Sequence, residues 1–313
     1  MSAEREVRIL SQIPVQLLAR IGERFPKVTV VAVPERGELA DDVHGEVLLT
    51  QAWGSPNLGP ILARGVRWVH AYGTGVNAFP FHELRGTPLS CSRGASAIPI
   101  SEWVMAMLLA AEKRLPASWL HEPPKRWNLF DLGGLYGRTL GLLGLGGIAQ
   151  ATAQRALAFG MRVIAHRRSS RPSPLAAVEL VDFDALLAGS DHLVIAAPAT
   201  RETHHVIGRD ALTRVKRGLH LVNVARGGLV DQDALREALD DGRVSLASLD
   251  TVDPEPLPDS HWLYTHPRVR LSPHCSWCGP GALDRLLDPF LTNLARWLAG
   301  EPLEGLVDVE LGY

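Results

Sequence analysis

The chain has 313 residues, 46% of them hydrophobic, and a formal net charge of −2 at pH 7. This length favours two domains, and the apolar content is sufficient for two cores. The near-neutral charge argues against nucleic acid or an anionic membrane surface as a partner. The first residues lack the apolar run of a signal peptide, and no stretch is long enough to span a membrane. We therefore expect a protein with neither nucleic-acid nor membrane partners.

The three cysteines of the chain are Cys91, Cys275 and Cys278. So few cysteines fit a reducing, cytoplasmic compartment and argue against a disulfide framework. The pair Cys275 and Cys278, separated by two residues, is compatible with half a zinc site or with a redox pair. A structural zinc site usually takes four ligands, and the chain has no second pair of this kind. We therefore expect no metal site.

The first hundred residues alternate between short apolar runs and helical patterns, which predicts a parallel α/β sheet. We expect a helix at 14–25 and strands at 6–10, 28–33, 47–50 and 66–71. The fourth strand runs into the loop 72–77, at the edge of the sheet where open α/β folds bind small ligands. Backbone N–H groups of this loop can hold a carboxylate, but an ordinary turn explains its two glycines equally well.

The middle of the chain connects two regions of alternating strands and helices. Residues 101–114 predict an apolar helix, closed by Pro116, that leaves the first domain and enters the second. Residues 121–137 are rich in Pro, Gly and Trp and predict an irregular arm. Such an arm either covers a partner subunit or is simply a loop.

A glycine-rich turn lies between a predicted strand at 139–143 and a predicted helix at 150–159. It has the pattern G-x-G-x-x-A and consists of Gly144, Leu145, Gly146, Gly147, Ile148 and Ala149. The first glycine permits the tight turn, the second lets the backbone approach a pyrophosphate, and the small alanine allows close packing of helix on strand. The amino terminus of the helix adds free N–H groups. Tight turns also need glycine, but the strand–turn–helix context favours dinucleotide binding.

The next predicted strand, 162–165, ends in a basic loop. An NAD-specific site would carry Asp or Glu about 20 residues beyond the fingerprint, bonded to the ribose hydroxyls. Here the chain has His166, Arg167 and Arg168 instead. An arginine can pair with the 2′-phosphate of NADP(H), whereas the alternative is a solvated basic loop. Because the acid is missing and a base is added, we favour phosphate binding.

Four further predicted strands end in residues suited to chemistry or to ligand contact. The strands are 193–197, 219–224, 246–249 and 269–271, and the residues that follow or close them include Pro198, Arg226, Asp250, Glu255 and His274. In a doubly wound sheet these strand ends converge on one crevice. Singly, such residues are more often surface ion pairs or satisfied histidines. Together, beside a cofactor fingerprint, they favour catalysis. A last helix is expected at 288–298, and the tail 302–313 is expected to return to the first domain.

With these motifs in this order, the chain resembles the D-isomer-specific 2-hydroxyacid dehydrogenases over nearly its full length. The resemblance implies two Rossmann-like, doubly wound parallel-sheet α/β domains. The substrate domain would be discontinuous, 1–99 with 284–313, and the dinucleotide domain would be 100–283. A homodimer would form across the cofactor domains. The matching segments are 72–77, 101–102, 144–149, 197–203, 222–231, 249–256, 272–274, 300–303 and 312–313.

The resemblance also implies roles for single residues. Arg226 would bind the carboxylate and carbonyl of the substrate, His274 would be the acid/base, and Glu255 its partner. Thr74 and Gly75 would join Arg226 and His274 in substrate binding. The implied cofactor-binding residues are Gly144, Gly146, Gly147, Ile148, His166, Arg167, Arg168, Ala197, Pro198, Thr203, Val224, Ala225, Arg226, Asp250, which would hold the nicotinamide amide, and His274.

The expected reaction is hydride transfer between NADP(H), with NAD(H) possible, and a small 2-oxo or 2-hydroxy acid such as glyoxylate or hydroxypyruvate. Arg167 stands where NAD-using members carry Asp, which points to NADP(H). The segment 275–278 is unusual after the histidine and leaves substrate choice open. One alternative is a dinucleotide-sensing binding protein, like the corepressor relatives of this family. A third alternative is an enzyme that acts on formate or phosphite, but formate-using members carry Gln at the position of Glu255, which argues against it.

Overall fold

The computed structural model describes residues 7–128 and 130–313, apart from the side chain of Val15. It divides into two compact units. The first comprises the chain up to Ser96 together with Gly279–Tyr313, and the second is Ala97–Cys278. The roles expected for two such units, one for substrate and one for dinucleotide, follow from the family resemblance.

The first unit contains a five-stranded, all-parallel sheet with the strand order β2-β1-β3-β4-β5. Two short helices accompany it, α1 (Ala19–Arg24) and α2 (Leu58–Leu62), and the predicted helix 14–25 is divided into a single 3-10 turn and α1. Glu6 of the predicted first strand lies outside the described residues. The strands are β1 (Val7–Ser11), β2 (Val28–Ala32), β3 (Val47–Gln51), β4 (Trp68–Tyr72) and β5 (Leu89–Cys91).

The second unit contains a seven-stranded, all-parallel sheet with the order β12-β11-β10-β9-β6-β7-β8. Its strands are β6 (Thr139–Leu143), β7 (Arg162–His166), β8 (Val178–Leu180), β9 (His192–Ile195), β10 (Leu219–Asn223), β11 (Val244–Leu249) and β12 (Val269–Leu271). Its helices are α3 (Ala97–Glu112), α4 (Gly147–Ala158), α5 (Phe183–Gly189), α6 (Arg209–Arg214) and α7 (Gln232–Asp240). The prediction of two parallel-sheet α/β domains is confirmed.

Apolar clusters occupy both faces of the second sheet, because its strands are buried on both sides, as parallel strands with flanking helices are. One cluster lies under α5, α6 and α7 and the other under α3 and α4. The alternation of strand and helix leaves all carboxyl ends of the strands at one edge, which is where the predicted site residues stand.

The last helix, α8 (Ala282–Ala299), belongs to the first unit and covers its sheet. The ring of Phe290 stacks on the fully buried Trp68 of β4, with centroids 5.3 Å apart. Ser92 Oγ donates to the carbonyl of Leu286 at 2.7 Å. The helix begins six residues earlier than the sequence prediction, because Pro289 is accommodated inside the helix and does not start it.

The buried His70 of β4 lies under this helix. Its Nδ1 shares a hydrogen bond with Ser90 Oγ at 2.8 Å. Burial lowers the pKa of His70 to about 3, because the low-dielectric surroundings disfavour the imidazolium. The folded first unit therefore contains a buried neutral histidine, which makes the unit less stable at acidic pH.

Candidate active site

The turn after β6 has the geometry that a dinucleotide fingerprint needs. Gly144 has a φ of +94°, and a Cβ there would lie 2.7 Å from the carbonyl oxygen of Ala196. Only glycine therefore fits. Gly146 is the N-cap of α4, and a Cβ added to it would meet no atom within 4 Å. The first turn of α4, which contains Gly147 and Ile148, leaves N–H groups that no helical carbonyl accepts. This open, positively polarised end fits a pyrophosphate.

The basic residues at the end of β7 are folded onto the protein surface. His166 Nδ1 lies 3.1 Å from the carbonyl oxygen of Val181, and Arg167 Nε donates to Ser169 Oγ at 2.9 Å. The pKa of Glu202 is lowered by its own backbone N–H, by Thr200 and, more weakly, by the charges of Arg168 and Arg201.

Glu202 belongs to the loop that follows β9. This loop is therefore close enough to the end of β7 for the charges of Glu202 and Arg168 to interact. This loop carries the predicted residues Ala197, Pro198 and Thr203. Thr203 Oγ1 donates to the Pro198 carbonyl at 2.8 Å and accepts from the backbone N–H of Thr200 at 2.8 Å. The threonine side chain thus fixes the loop beside the basic end of β7.

Arg226 is positioned by a buried asparagine that the sequence analysis missed. Asn223 is the last residue of β10, and its Nδ2 donates to the Arg226 carbonyl at 2.9 Å. Its Oδ1 accepts from the backbone N–H of Ala225 at 3.1 Å, which fixes the turn through Val224 and Ala225. The one available signal was an amide at the end of an otherwise apolar strand.

Arg226 is partly buried, and its Nη1 donates to the Ala225 carbonyl at 2.7 Å. Burial lowers the pKa of Arg226, while the charge of Glu255 raises it. The structure therefore brings Arg226 and Glu255 within electrostatic reach of each other, although their positions lie far apart in the sequence.

The loops that carry Arg226 and Glu255 are in direct backbone contact. A Cβ on Gly227 would lie 1.9 Å from the carbonyl carbon of Val252 and 2.4 Å from the backbone nitrogen of Asp253. Gln232, the first residue of α7, binds the same loop: its Nε2 donates to the Asp253 carbonyl at 2.5 Å, and its Oε1 accepts from the Asp253 N–H at 3.3 Å. Gln232 is a second residue that the sequence analysis missed.

Glu255 and His274 form the central hydrogen bond of the predicted set. His274 Nδ1 lies 2.8 Å from Glu255 Oε2, and both side chains are partly exposed, at 40% and 37% of their full area. The other carboxylate oxygen, Oε1, accepts from the backbone N–H of Val252 at 3.0 Å. The carboxylate is thus fixed from one side and orients the imidazole on the other.

Asp250 organises the loop on which His274 stands. Its carboxylate is buried, and Oδ1 accepts from Ser272 Oγ at 2.5 Å and from the Cys275 N–H at 2.9 Å. Oδ2 accepts from the Ser276 N–H at 3.0 Å. Both carboxylate oxygens of Asp250 therefore hold the loop. The sequence analysis predicted only a contact of Asp250 with the nicotinamide amide and missed this role.

The other two predicted substrate residues, Thr74 and Gly75, lie in the first unit. They follow the carboxyl end of β4. Gly73, just before them, has a φ of +156°, and its N–H donates to Ser92 Oγ at 3.2 Å. The loop 72–77 therefore stands at the ligand-binding edge of the first sheet.

The thiols of Cys91, Cys275 and Cys278 are all free. Within residues 7–128 and 130–313, no three His, Cys, Asp or Glu side chains are arranged so that they could hold a metal ion. In the same part of the chain, none of the helices combines the length and the apolar character that crossing a membrane requires.

A cavity of about 700 Å³ lies at the opposite, amino-terminal edge of the second sheet, away from the predicted residues. Its charged lining is paired internally: Asp191 accepts from Lys216 Nζ at 2.7 Å, and His192 Nε2 lies 3.2 Å from Glu112 Oε1. The predicted chemistry stands at the other edge, so we place the candidate active site at the carboxyl ends of the strands.

Comparison with known proteins identifies the family of the chain. Residues 105–276 match the family model described as D-isomer specific 2-hydroxyacid dehydrogenase, NAD binding domain. The chain is also 32% identical to a glyoxylate reductase of Thermofilum pendens over 286 residues. This aligned region covers 87% of the present chain and 80% of that reductase. The chain belongs to the D-isomer-specific 2-hydroxyacid dehydrogenase family.

Solved structures of family members are similar to nearly the full length of the chain. A D-isomer specific 2-hydroxyacid dehydrogenase from Xanthobacter autotrophicus Py2, in complex with NADPH and MES, has a TM-score of 0.86 at 25% identity and covers 99% of this chain and 100% of its own. An NADPH-dependent glyoxylate/hydroxypyruvate reductase from Sinorhizobium meliloti, in complex with NADP and sulfate, has a TM-score of 0.82 at 26% identity and covers 98% and 100%.

The predicted family and fold class are therefore confirmed. This 2-hydroxyacid dehydrogenase is an oxidoreductase that acts on small 2-oxo or 2-hydroxy acids with a nicotinamide dinucleotide.

Proposed function

We propose that this dehydrogenase reduces a small 2-oxo acid of the glyoxylate or hydroxypyruvate type, with NADPH preferred over NADH. The observation that carries the proposal is the 2.8 Å contact between His274 Nδ1 and Glu255 Oε2, beside the partly buried Arg226. The relative from Thermofilum pendens and the structural neighbour from Sinorhizobium meliloti, both named for glyoxylate reduction, support the choice of substrate.

When bound, the dihydronicotinamide supplies the hydride, and negative charge develops on the substrate oxygen. Arg226 binds the substrate carboxylate and stabilises that charge. His274 gives the oxygen its proton from Nε2, because Nδ1 is turned to Glu255. Glu255 fixes the imidazole in this orientation. The backbone N–H groups of Thr74 and Gly75 bind the substrate carboxylate.

The family plan assigns these tasks to two domains. We propose that 1–99 with 284–313 form the substrate domain and 100–283 the dinucleotide domain. The match of 105–276 to the NAD-binding family model supports the second assignment. The cofactor would contact the turn 144–148, the basic residues 166–168, the loop residues Ala197, Pro198 and Thr203, the segment 224–226, Asp250 and His274.

The preference for NADP(H) rests on Arg167 and Arg168. A charge-assisted contact contributes roughly 1.5–3 kcal/mol, so one arginine can favour the 2′-phosphate by about ten- to a hundredfold. Among the described residues, Arg167 donates to the neutral hydroxyl of Ser169, a partner that it can exchange for a phosphate. Arg168 already interacts with Glu202, so part of its gain is offset. Solvent exposure and salt weaken both contributions.

The cofactor test compares kcat/KM for NADPH and NADH in the native protein and in the double variant Arg167→Asp with Arg168→Ala. We expect the native protein to favour NADPH and the variant to shift toward NADH. Arg171→Ala is the matched control, since it removes an exposed arginine from the same loop. Equal use of both cofactors by the native protein, or an equal shift in the control, would exclude the assignment.

We further propose a homodimer in the cytoplasm. The free thiols suit a reducing compartment. Large apolar side chains are exposed in the arm, with Trp127 at 73% and Tyr136 at 88% of their full area. Large apolar side chains exposed to this degree favour a partner surface. Light scattering should give twice the chain mass, and Trp127→Ser should shift the mass toward the monomer, while Trp53→Ser in the first unit should not. A monomeric native protein would refute the dimer.

The decisive experiment for the function is NADPH oxidation with a panel of 2-oxo acids. We expect turnover with glyoxylate and hydroxypyruvate and far less with bulky 2-oxo acids. His274→Gln measured in parallel shows whether turnover depends on the proposed proton donor. NADPH binding without turnover of any 2-oxo acid would instead indicate a dinucleotide-sensing protein.

A further inference from the structure

The peptide group that joins His274 to Cys275 is held at both ends. Its carbonyl oxygen, from His274, accepts from the indole Nε1 of Trp277 at 3.1 Å. Its N–H, from Cys275, donates to Asp250 Oδ1 at 2.9 Å. A peptide group is planar and rigid, so two bonds on opposite ends fix its orientation. The orientation of this plane sets the backbone angle ψ of His274.

His274 adopts a backbone conformation that needs such support. Its φ is +51°, in the left-handed region, where a residue with a Cβ is unfavourable unless the surroundings hold it. The amino side of the residue is fixed, because the His274 N–H donates to the Ser272 carbonyl at 3.0 Å. On the carboxyl side, successive N–H groups of Cys275 and Ser276 form a concave anion-binding turn around Asp250.

We infer that Trp277 is a positioning residue: its indole N–H holds the His274 carbonyl and thereby keeps the imidazole against Glu255. That the imidazole of His274 donates a proton rests on the proposed function. That Trp277 holds the loop does not. Asp250 holds only the N–H end of the peptide group. Without Trp277 the carbonyl end is free to turn, so the left-handed φ of His274 loses a restraint, and the side chain changes direction as φ relaxes.

The indole can do this because its ring is anchored. Trp277 is partly buried and packs against the apolar cluster under α3 and α4. A packed ring has few rotamers, so its N–H points in one direction. A phenylalanine at this position keeps much of the apolar contact and removes the donor. Trp103 of α3 packs against the same cluster and provides a matched control.

The test compares Trp277→Phe with Trp103→Phe in the full-length protein. The first measurement is hydrogen exchange of the backbone amides of Cys275 and Ser276, followed by mass spectrometry. The second is the steady-state reduction of glyoxylate by NADPH, with the cofactor dissociation constant from fluorescence titration. Melting temperatures show that both variants fold, and Trp277→Met, which also lacks a donor, replaces Trp277→Phe if that variant does not fold.

We expect Trp277→Phe to speed exchange at these amides and to lower kcat, each about five- to tenfold, as the loss of one hydrogen bond implies. The KM for glyoxylate and the dissociation constant for NADPH should stay within about twofold of the native values, since a general acid acts in the transition state. Trp103→Phe should change neither exchange nor kcat.

Native exchange and native kcat in Trp277→Phe would overturn the inference. So would equal changes in both variants, because these would mark general loosening of the shared cluster. If the native protein reduces no 2-oxo acid, the proposed function fails, and the exchange measurement alone decides: faster exchange in Trp277→Phe but not in Trp103→Phe still supports the positioning role.

Discussion

Gly227 offers the sharpest test of how the site is assembled, because its neighbour Gly228 is a control one residue away. In Gly227→Ala the new methyl would lie 1.9 Å from the Val252 carbonyl carbon and 2.0 Å from its oxygen. In Gly228→Ala the nearest atom would be Asp253 Oδ2 at 3.4 Å, an ordinary contact. The two variants thus make the same chemical change with opposite steric consequences.

The magnitude follows from these distances. Carbon atoms in contact are about 3.5 Å apart or more, so the loops that carry Arg226 and Glu255 must separate by roughly 1.5 Å in Gly227→Ala. A misplacement of about 1 Å can lower catalysis a hundredfold. Overpacking of this kind also costs about 1–3 kcal/mol of stability. We therefore expect Gly227→Ala to lose at least about a hundredfold in kcat/KM, while Gly228→Ala stays close to the native protein.

The assay is the reduction of glyoxylate by NADPH, with unfolding measured in denaturant for both variants and the native protein. Separation of the loops should lower kcat/KM more than it weakens NADPH binding, because the fingerprint turn is a different segment. If Gly227→Ala is as active and as stable as Gly228→Ala, then the contact between the two loops does not hold the site together, and the reasoning is wrong.

Two further predictions concern His274 and His70. His274→Ala should lower kcat by about 10²–10⁴-fold with little effect on the dissociation constant for NADPH, as expected for loss of a general acid; a native rate would remove His274 from the mechanism. In the first unit, burial lowers the pKa of His70 to about 3, below its ordinary value of 6.5. The unfolded chain therefore binds a proton that the folded unit does not, so stability present above pH 6.5 is lost as the pH falls toward 3, by up to about 1.4 kcal/mol per pH unit. In His70→Asn the slope of unfolding free energy between pH 6 and 5 should be smaller by roughly 1 kcal/mol per unit, and an unchanged slope would contradict the assignment.

The sequence predicted most of the second sheet because its strands are apolar runs that end at glycine, proline or charged residues. The strand at 139–143 coincides with β6, and the glycine turn follows it as expected. Two strands of three residues were missed, β5 and β8, because so short a run shows no periodic pattern, whereas the equally short β12 was predicted because it leads into the motif segment 272–274. The early start of α8 was missed because Pro289 marks a helix start far more often than a helix interior.

The candidate site was predictable where a motif fixes the residue and unpredictable where only tertiary contact does. Strand ends and motif order pointed to Glu255 and His274, whose Oε2 and Nδ1 atoms lie 2.8 Å apart. Asn223 supports the site through hydrogen bonds to the turn that follows it, and the one trace of this in the sequence is an amide at the end of an apolar strand. Gln232 binds the backbone of a distant loop at Asp253, which leaves no pattern in the sequence. The left-handed backbone of His274 was equally invisible, since only glycine announces such a conformation reliably.

The position of α8 constrains the order in which a newly made chain can fold. The first unit needs Phe290 to cover Trp68, yet the whole of Ala97–Cys278 is synthesised between them. At about 5–20 residues per second, this interval lasts on the order of 10–40 seconds. One face of the first sheet thus stays uncovered while the second unit, whose segments are continuous, is free to fold. A stalled, ribosome-bound chain in which residues up to 278 have just left the exit tunnel should therefore protect β6–β12 from proteolysis and leave β1–β5 open to it.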